Sequence, residues 1–272
     1  MRAPRDPPTT LAQIDREAYM YFGAGVTVAW QMARPGVGRG VARHSRTLED
    51  PLRRLRATMA YVYAVALGTD DDRAAIARHV KRAHRPVRGD GYNAFDSELQ
   101  LWVAATLYKG AVDLHALFEG PLPPANREAI YRQAWAFGRT LQVDDAQWPP
   151  DAQSFERWWE QQQTRLSVDD EVRAYMQAVL RGGNAPLYFR PGLRLQAFVT
   201  RGLMTPRLRE LFALPWDARD ARNWTRFTRL APRVYWALPA ALRHWPARYF
   251  LAQLRKRYGS ERTSDSQTRR VR

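Results

Sequence analysis

Apolar residues recur at steps of three and four residues along almost the whole chain, which is the spacing of one face of an α-helix. The clearest run extends from Pro51 to Gly68 and includes Leu55, Met59 and Val62. Alternating strand-like runs do not occur in groups, and no segment repeats at a fixed spacing. The pattern therefore predicts an all-α, single-domain helical bundle.

Proline, glycine and helix-capping residues divide this pattern into separate elements. After residue 181, where prolines are frequent, we predict three or four shorter helices punctuated by these prolines. We assign residues 1–258 to one domain and predict that the polar, aperiodic segment 259–272 is a disordered tail. Before residue 181, we expect helices over about 10–32, 35–44, 51–67, 70–84, 96–107, 125–141, 152–167 and 169–181.

The positive charge is concentrated in the last third of the chain. The formal net charge is +16, and residues 181–272 contribute +15 of it, from 20 Lys/Arg and 5 Asp/Glu. Such a segment can attract anionic lipid or nucleic acid. Its aromatic residues suit a membrane interface as well as a core. Two interpretations follow: a solvated arginine-rich surface over an aromatic core, or transient membrane contact through residues 181–258. A nucleic-acid partner is not expected, because no helix-turn-helix pattern is present.

Several kinds of chemistry are excluded by residues that the chain lacks. It has no cysteine, which excludes disulfides, thiol nucleophiles, zinc fingers and iron–sulfur clusters. It has no phosphate-binding loop, no dinucleotide glycine fingerprint, no nucleophile-elbow serine and no Glu-x-x-His pair for a di-iron site. The sequence shows no membrane-spanning stretch and no signal peptide, so we expect a soluble, cytoplasmic protein with only peripheral membrane contact.

Two segments carry the candidate site residues. Arg54 and Thr58 are four residues apart, so they share one face of the predicted helix 51–67. His84 lies at the end of the next predicted helix, before Pro86, where a ring nitrogen can be presented to a cavity. Taken alone, this position is more typical of a surface or capping histidine.

Six short motifs occur in a fixed order along the first 107 residues. In order and spacing they resemble the family of haem-binding oxygenases that includes the fungal mycophenolate-pathway oxygenase MpaB and the bacterial rubber oxygenase. Looser similarity covers about residues 15–250. The six motifs are Met32-Ala-Arg34-Pro35, Gly40-Val-Ala-Arg-His44-Ser45, Asp50-Pro-Leu-Arg-Arg54-Leu-Arg-Ala-Thr58, His84-Arg-Pro-Val87-Arg-Gly89, Tyr92-Asn-Ala94-Phe-Asp96 and Leu101-Trp102-Val-Ala-Ala105-Thr106-Leu107.

The resemblance implies a globin-like helical core around haem b. His84 matches the family's iron ligand, and Arg54 and Thr58 match the residues on the opposite, distal face of the haem. The resemblance therefore implies that dioxygen binds opposite His84 and that Arg54 and Thr58 polarise it. His44 belongs to the same pattern and is interpreted as a hydrogen-bonding residue beside the cofactor rather than as a ligand.

The implied function is that of a haem b-dependent oxygenase. It would act with dioxygen on a hydrophobic, isoprenoid-like or lipid-like substrate, by oxidative cleavage of a carbon–carbon double bond or by hydroxylation. Three positions depart from the family pattern, because Ala57 replaces a lysine of rubber oxygenase while Arg34 and Ala104 replace histidines of many relatives. These departures leave open a non-catalytic haem-binding or sensing protein. A basic nucleic-acid-binding helical protein is the third and weakest hypothesis.

Overall fold

A long, largely buried helix lies at the centre of the fold, and four other helices pack closely against it. This helix is α6 (Ser97–Glu119), and α2 (Met20–Met32) crosses it at close range. A Cβ atom added at Gly23 would lie 2.4 Å from Leu114 Cδ1. A side chain at residue 23 would therefore force Leu114 to move, and glycine avoids this where the two helices cross.

The structure is a computed structural model that describes residues 6–182, 185 and 187–270. Within these residues, helices account for nearly all regular structure, which confirms the predicted all-α class. A two-residue antiparallel hairpin pairs β1 (Arg88–Gly89) with β2 (Tyr92–Asn93), and single turns of 3-10 helix lie at Asp145–Gln147 and Leu187–Phe189. The remaining helices are α1 (Leu11–Asp15), α3 (Pro35–His44), α4 (Pro51–Leu67), α5 (Asp70–His84), α7 (Pro124–Thr140), α8 (Ala152–Gln163), α9 (Asp170–Arg181), α10 (Arg190–Leu203), α11 (Pro206–Leu211), α12 (Ala218–Ala237), α13 (Ala240–Arg243) and α14 (Trp245–Arg270).

The first predicted helix is interrupted in the structure. The periodicity predicts one helix over residues 10–32, whereas α1 ends at Asp15 and α2 begins at Met20. Between them, the Ala18 amide donates a hydrogen bond to the Arg243 carbonyl oxygen at 3.0 Å. A bond to a residue more than two hundred positions away thus replaces a local helical bond. No local sequence signal marks this break.

Prolines in the last third begin helices more often than they end them. Pro191, Pro206 and Pro246 all lie in the first turns of helices, where the missing N–H costs no hydrogen bond. Pro232 lies inside the 20-residue helix α12, so the predicted break at that residue is wrong.

The last helix continues past the predicted domain end. α14 includes residues 259–270, which the sequence analysis predicts to be disordered. This segment contains no proline, and many of its residues are compatible with a helix that the packed residues before it have already begun. Residues 271 and 272 of the predicted tail lie outside the described residues. The domain limit at residue 258 stays a prediction.

The buried carboxyl group of Asp15, in α1, has a raised pKa. Asp15 is 1% exposed, and its Oδ2 atom has no hydrogen-bond partner among the described residues. Burial raises the pKa of this carboxyl group from 3.8 to about 8. The folded chain therefore binds a proton at Asp15 that the unfolded chain releases near pH 4. Because the folded state holds more protons between these two values, Asp15 lowers the stability of the fold as the pH rises through that window.

Replacing Asp15 with asparagine should remove this pH dependence, because the amide has the same shape and does not ionise. Relative to the wild type, the free energy of unfolding of Asp15→Asn is expected to rise by up to roughly 1.4 kcal/mol per pH unit between about pH 5 and pH 8. Urea unfolding at several pH values measures this difference. Asp145→Asn is the matched control, because the pKa of the exposed Asp145 carboxyl group is lowered by its hydrogen bond with Arg139 and it stays ionised throughout the window. Parallel pH profiles for Asp15→Asn and the wild type would contradict the prediction.

Candidate functional site

The candidate site lies at the open end of the helical hairpin formed by α4 and α5. Asp50 caps the start of α4, and Thr69 caps the start of α5 directly after the turn at Gly68. Because the two helices run in opposite directions from this turn, the first residues of α4 lie beside the last residues of α5. This arrangement brings Arg54 close to His84, close enough for the arginine charge to act on the imidazole ring.

His84 is a half-buried residue with a neutral ring. It is the last residue of α5, and the ring of Phe95 meets it edge-on at 6.3 Å between ring centroids. Burial lowers the pKa of the His84 imidazole below its ordinary value of 6.5, and the positive charge of Arg54 lowers it further. At neutral pH the ring therefore keeps a free nitrogen lone pair, which is the form that binds a metal.

Arg54 is a cation without a counter-ion. Its guanidinium group forms no ion pair and no hydrogen bond with any residue that the structure describes, although its side chain is accessible to solvent. Burial nevertheless lowers the pKa of this guanidinium, and the neighbouring Tyr175 offsets part of the change. The guanidinium group is thus exposed, with enough protein around it to lower its pKa. We refer to the surface region around Arg54 and His84, between the first turns of α4 and the last turn of α5, as the recess.

Thr58 follows Arg54 by one helical turn and is half-buried. Its hydroxyl group donates a hydrogen bond to the Arg54 carbonyl oxygen at 3.1 Å. The proton is therefore held by the helix, and the oxygen lone pairs remain able to accept a bond. Ala57, between them in sequence, is exposed and leaves space beside the Arg54 side chain.

His44 is placed beside the hairpin that follows His84. Its Nε2 atom lies 3.0 Å from the Tyr92 hydroxyl oxygen, and the His44 ring itself is exposed. Among the described residues, no contact joins His44 to His84, Arg54 or Thr58. The structure thus gives His44 a hydrogen bond to the β-hairpin, and its predicted role beside the cofactor stays a prediction.

The other two departures from the family pattern, Arg34 and Ala104, are buried residues outside the recess. Arg34 is buried and hydrogen-bonds to Gln162 and Glu98, both at 3.2 Å, so it joins three helices rather than facing His84. Ala104 is fully buried in α6. The large apolar residues Met32, Met59, Trp30, Tyr61 and Trp102 also belong to the closed core.

Two surface cavities lie away from the recess. One, of about 360 Å³, is lined by Gly36, Gly89, Tyr92 and other residues around the β-hairpin. The second, of about 410 Å³, lies at α11 and is lined by Arg209 and Trp216 among others. Neither of these two cavities is lined by His84 or Arg54.

The chemistry of the recess fits a haem group. An accessible neutral imidazole is a common axial ligand of haem iron. A desolvated guanidinium without a counter-ion is suited to bind a carboxylate, such as a haem propionate. Within the part of the chain that the structure describes, no cluster of three His, Asp or Glu side chains could hold a non-haem metal ion.

Sequence reasoning missed two neighbours of the site. Phe95 lies within a motif noted above, but no pattern indicates that its ring meets His84. Tyr175 comes from α9, far away in sequence, and its hydroxyl group donates to the Ser45 carbonyl oxygen at 3.4 Å. Only the folded structure brings Tyr175 close enough to Arg54 to act on the pKa of its guanidinium group.

Fold and site together define a helical protein in which a neutral imidazole lies near an arginine that has no ion-pair partner among the described residues. The chain belongs to the family described as "ER-bound oxygenase mpaB/B'/Rubber oxygenase, catalytic domain", which matches residues 11–233. This match confirms the resemblance found in the motifs. The chain therefore contains an oxygenase-type domain.

Two mycobacterial proteins are similar to this chain over most of its length. They are "Uncharacterized protein Mb2261" of Mycobacterium bovis and "Uncharacterized protein Rv2237" of Mycobacterium tuberculosis. Each is 35% identical over 239 residues, which are 82% of this chain and 94% of the relative. No solved structure matches the chain significantly. The globin-like arrangement of the core therefore stays a prediction.

Proposed function

We propose that this chain is a haem b-dependent oxygenase that uses dioxygen to oxidise a hydrophobic substrate. The observation that carries the proposal is the pair of side chains in the recess, a neutral accessible His84 and an unpaired, desolvated Arg54. Family membership supports the oxygenase class, and the recess supports haem as its cofactor.

His84 would hold the cofactor through its free ring nitrogen. Bound haem would supply the redox chemistry, which no side chain of this chain can provide by itself. Burial of His84 and the charge of Arg54 both favour the neutral ring. The imidazole therefore needs no deprotonation before it binds at neutral pH.

Arg54 and Thr58 would bind and orient polar oxygen atoms in the same recess. The guanidinium group has all its side-chain donors free and can bind the carboxylate of a propionate or polarise an oxygen atom of the reactants. Thr58 can accept a further hydrogen bond, since its own proton is held by the Arg54 carbonyl group. Ala57 leaves room for an apolar substrate group beside Arg54 and Thr58.

The two proposed reactions differ in their electron balance. Cleavage of a carbon–carbon double bond places both atoms of dioxygen in two carbonyl groups and consumes no external reductant. Hydroxylation places one oxygen atom in the product, and the other needs two electrons and two protons to become water. Product analysis with labelled dioxygen, with and without a reductant, therefore distinguishes the two reactions.

A non-catalytic haem-binding or sensing protein is the second candidate. It is favoured by Ala57, because this position offers no side chain that can transfer a proton beside Arg54. Such a protein would take up haem at His84 without turning over a substrate.

An absorption spectrum of the purified full-length chain, before and after titration with haemin, tests the proposal. We expect a Soret band that saturates at one haem per chain. Oxygen consumption with an unsaturated polyprenyl compound then separates the two candidates, because only an oxygenase converts it. A chain that remains colourless and never binds haemin would overturn both.

A further inference from the structure

Six large apolar residues lie exposed along the C-terminal helices. They recur at steps of three and four residues from α12 through α13 into α14 and are 39–65% exposed. We name this set the apolar stripe: Leu230, Val234, Leu238, Leu242, Trp245 and Tyr249. Within it, the Trp245 and Tyr249 rings stack at 5.3 Å between ring centroids. Single exposed apolar residues are ordinary, whereas a continuous series indicates a binding surface.

A row of arginines lies on α12 beside the start of this stripe. Arg222, Arg226, Arg229 and Arg233 are exposed and spaced four, three and four residues apart, so they share one face of the helix. Leu230 follows Arg226 by four residues and therefore lies beside these arginines on the surface of α12. We name these four residues the arginine row. Arg226, Arg229 and Arg233 form no ion pair or side-chain hydrogen bond with any described residue.

The segment that carries both features contains no acidic residue. Between Asp220 and Glu261 the sequence has eight arginines, one lysine and no Asp or Glu. The stripe and the row therefore combine exposed apolar side chains with positive charge that no acidic residue of this segment offsets. This combination binds where hydrocarbon and negative charge lie next to each other.

We propose that the apolar stripe and the arginine row dock this protein on an anionic lipid bilayer. Leu230, Val234 and Leu242 would enter the boundary between headgroups and acyl chains, while Trp245 and Tyr249 suit the headgroup level. The arginines would contact lipid phosphates and carboxylates. None of the helices in the described part of the chain is long and apolar enough to cross a membrane, so this contact lies at the bilayer surface.

Charge favours this partner over two others. A second copy docked through the same face would bring two arginine rows together with no acidic residue between Asp220 and Glu261 to offset them. Nucleic acid would pair with the arginines, but its interfaces are polar and leave no place for six exposed apolar side chains. An anionic bilayer matches both halves of the surface.

The same C-terminal helix connects this surface with the recess. Phe250 and Leu251 of α14 pack with Leu55 and Met59 of α4, while Tyr249 remains exposed. Leu55 directly follows Arg54. If the proposed function holds, a lipophilic substrate would therefore enter from the bilayer close to the helix that carries Arg54. Docking itself needs no haem and can be tested independently of activity.

Co-sedimentation of the full-length chain with vesicles tests the docking. The vesicles are made of phosphatidylcholine, with and without phosphatidylserine, at low and high salt. We expect at least about tenfold tighter binding to the vesicles that contain phosphatidylserine, and a loss of that difference at high salt. Equal binding to both vesicle types, or binding to neither, would overturn the proposal.

Surface variants locate the contact. Leu242→Ser with Trp245→Ser is expected to weaken binding by about tenfold or more, because both side chains are exposed and would be buried only in the bilayer. Replacing Arg226, Arg229 and Arg233 with glutamine should remove the preference for phosphatidylserine. Leu195→Ser changes an exposed leucine of α10 outside the stripe and should bind as the wild type does.

Circular dichroism and thermal unfolding of each variant confirm that it folds. The assignment of the stripe as the bilayer contact would be refuted if Leu242→Ser with Trp245→Ser bound vesicles as tightly as the wild type. It would also be refuted if Leu195→Ser lost as much vesicle binding as that double variant. A dimer that the stripe variant dissociates would assign the stripe to a second copy instead. Salt-sensitive binding of duplex DNA that competes with vesicles would assign the arginine row to nucleic acid. Failure of vesicle binding leaves the haem titration unaffected, so the two proposals fail separately.

Discussion

Replacing His84 with alanine is expected to lower haem binding by at least about tenfold, because the variant lacks the imidazole that would hold the proposed cofactor. The measurement is the Soret absorbance per chain during titration with haemin. Free imidazole added to the variant should restore part of the band, since the missing ring leaves a space of its own size beside Phe95. This rescue distinguishes loss of a ligand from loss of the fold.

The matched control for this prediction is His79→Ala. It removes the same side chain from the same helix, but residue 79 precedes His84 by five positions and therefore lies on a different side of α5. We expect haem binding close to that of the wild type. If His84→Ala binds haemin as tightly as the wild type while His79→Ala does not, the ligand assignment is wrong.

The largest loss of stability is expected for Glu17→Gln. The Glu17 carboxylate is 4% exposed and accepts hydrogen bonds from Arg243 at 2.6 Å and from Tyr235 at 2.7 Å, while the Nε2 atom of His244 lies 2.9 Å from its other oxygen. Arg243 is itself buried and stacks over Trp236 at 4.2 Å. With glutamine at residue 17, the guanidinium group would stay buried without a negative partner.

Breaking a buried ion pair from one side costs about 3–5 kcal/mol. Urea unfolding of Glu17→Gln at neutral pH should show a loss of that order. Glu171→Gln is the control, because Glu171 pairs with Arg43 on the surface, where such a pair contributes about 0–1 kcal/mol. If both substitutions lower the free energy of unfolding by the same small amount, the contacts of Glu17 with Tyr235, Arg243 and His244 do not hold the C-terminal helices to the start of the chain.

Local sequence signals were sufficient to predict the elements around the candidate site. The boundaries of α4 and α5 follow from Asp50, Gly68 and Thr69, which act on the backbone within a few residues. A hairpin with so short a turn must place the start of α4 beside the end of α5. The resemblance to the family had grouped Arg54 and His84 as one site, and this hairpin is the local structure that brings them together.

The break between α1 and α2 could not be predicted in this way. It depends on the backbone bond from Ala18 to Arg243, and Glu17 then finds its partners on α12 and α13. No motif or spacing in the sequence marks His244, which the structure places against Glu17. An interaction between residues more than two hundred positions apart produces no periodic pattern in the sequence, because the residues next to each partner do not indicate that it has one.

The sequence by itself determined the all-α class, the family and the helix face that carries Arg54 and Thr58. These features depend on the spacing of apolar residues, on capping residues and on the order of short motifs, all of which can be read from residues that are close together in the sequence. Only the tertiary structure decided which groups are left without partners. Arg34 and Arg54 both lie in segments that resemble the family's motifs, yet Arg34 is bonded to Glu98 and Gln162 while Arg54 has no such partner among the described residues. Desolvation and pairing depend on every element that packs around a side chain, and that arrangement exists only in the folded chain.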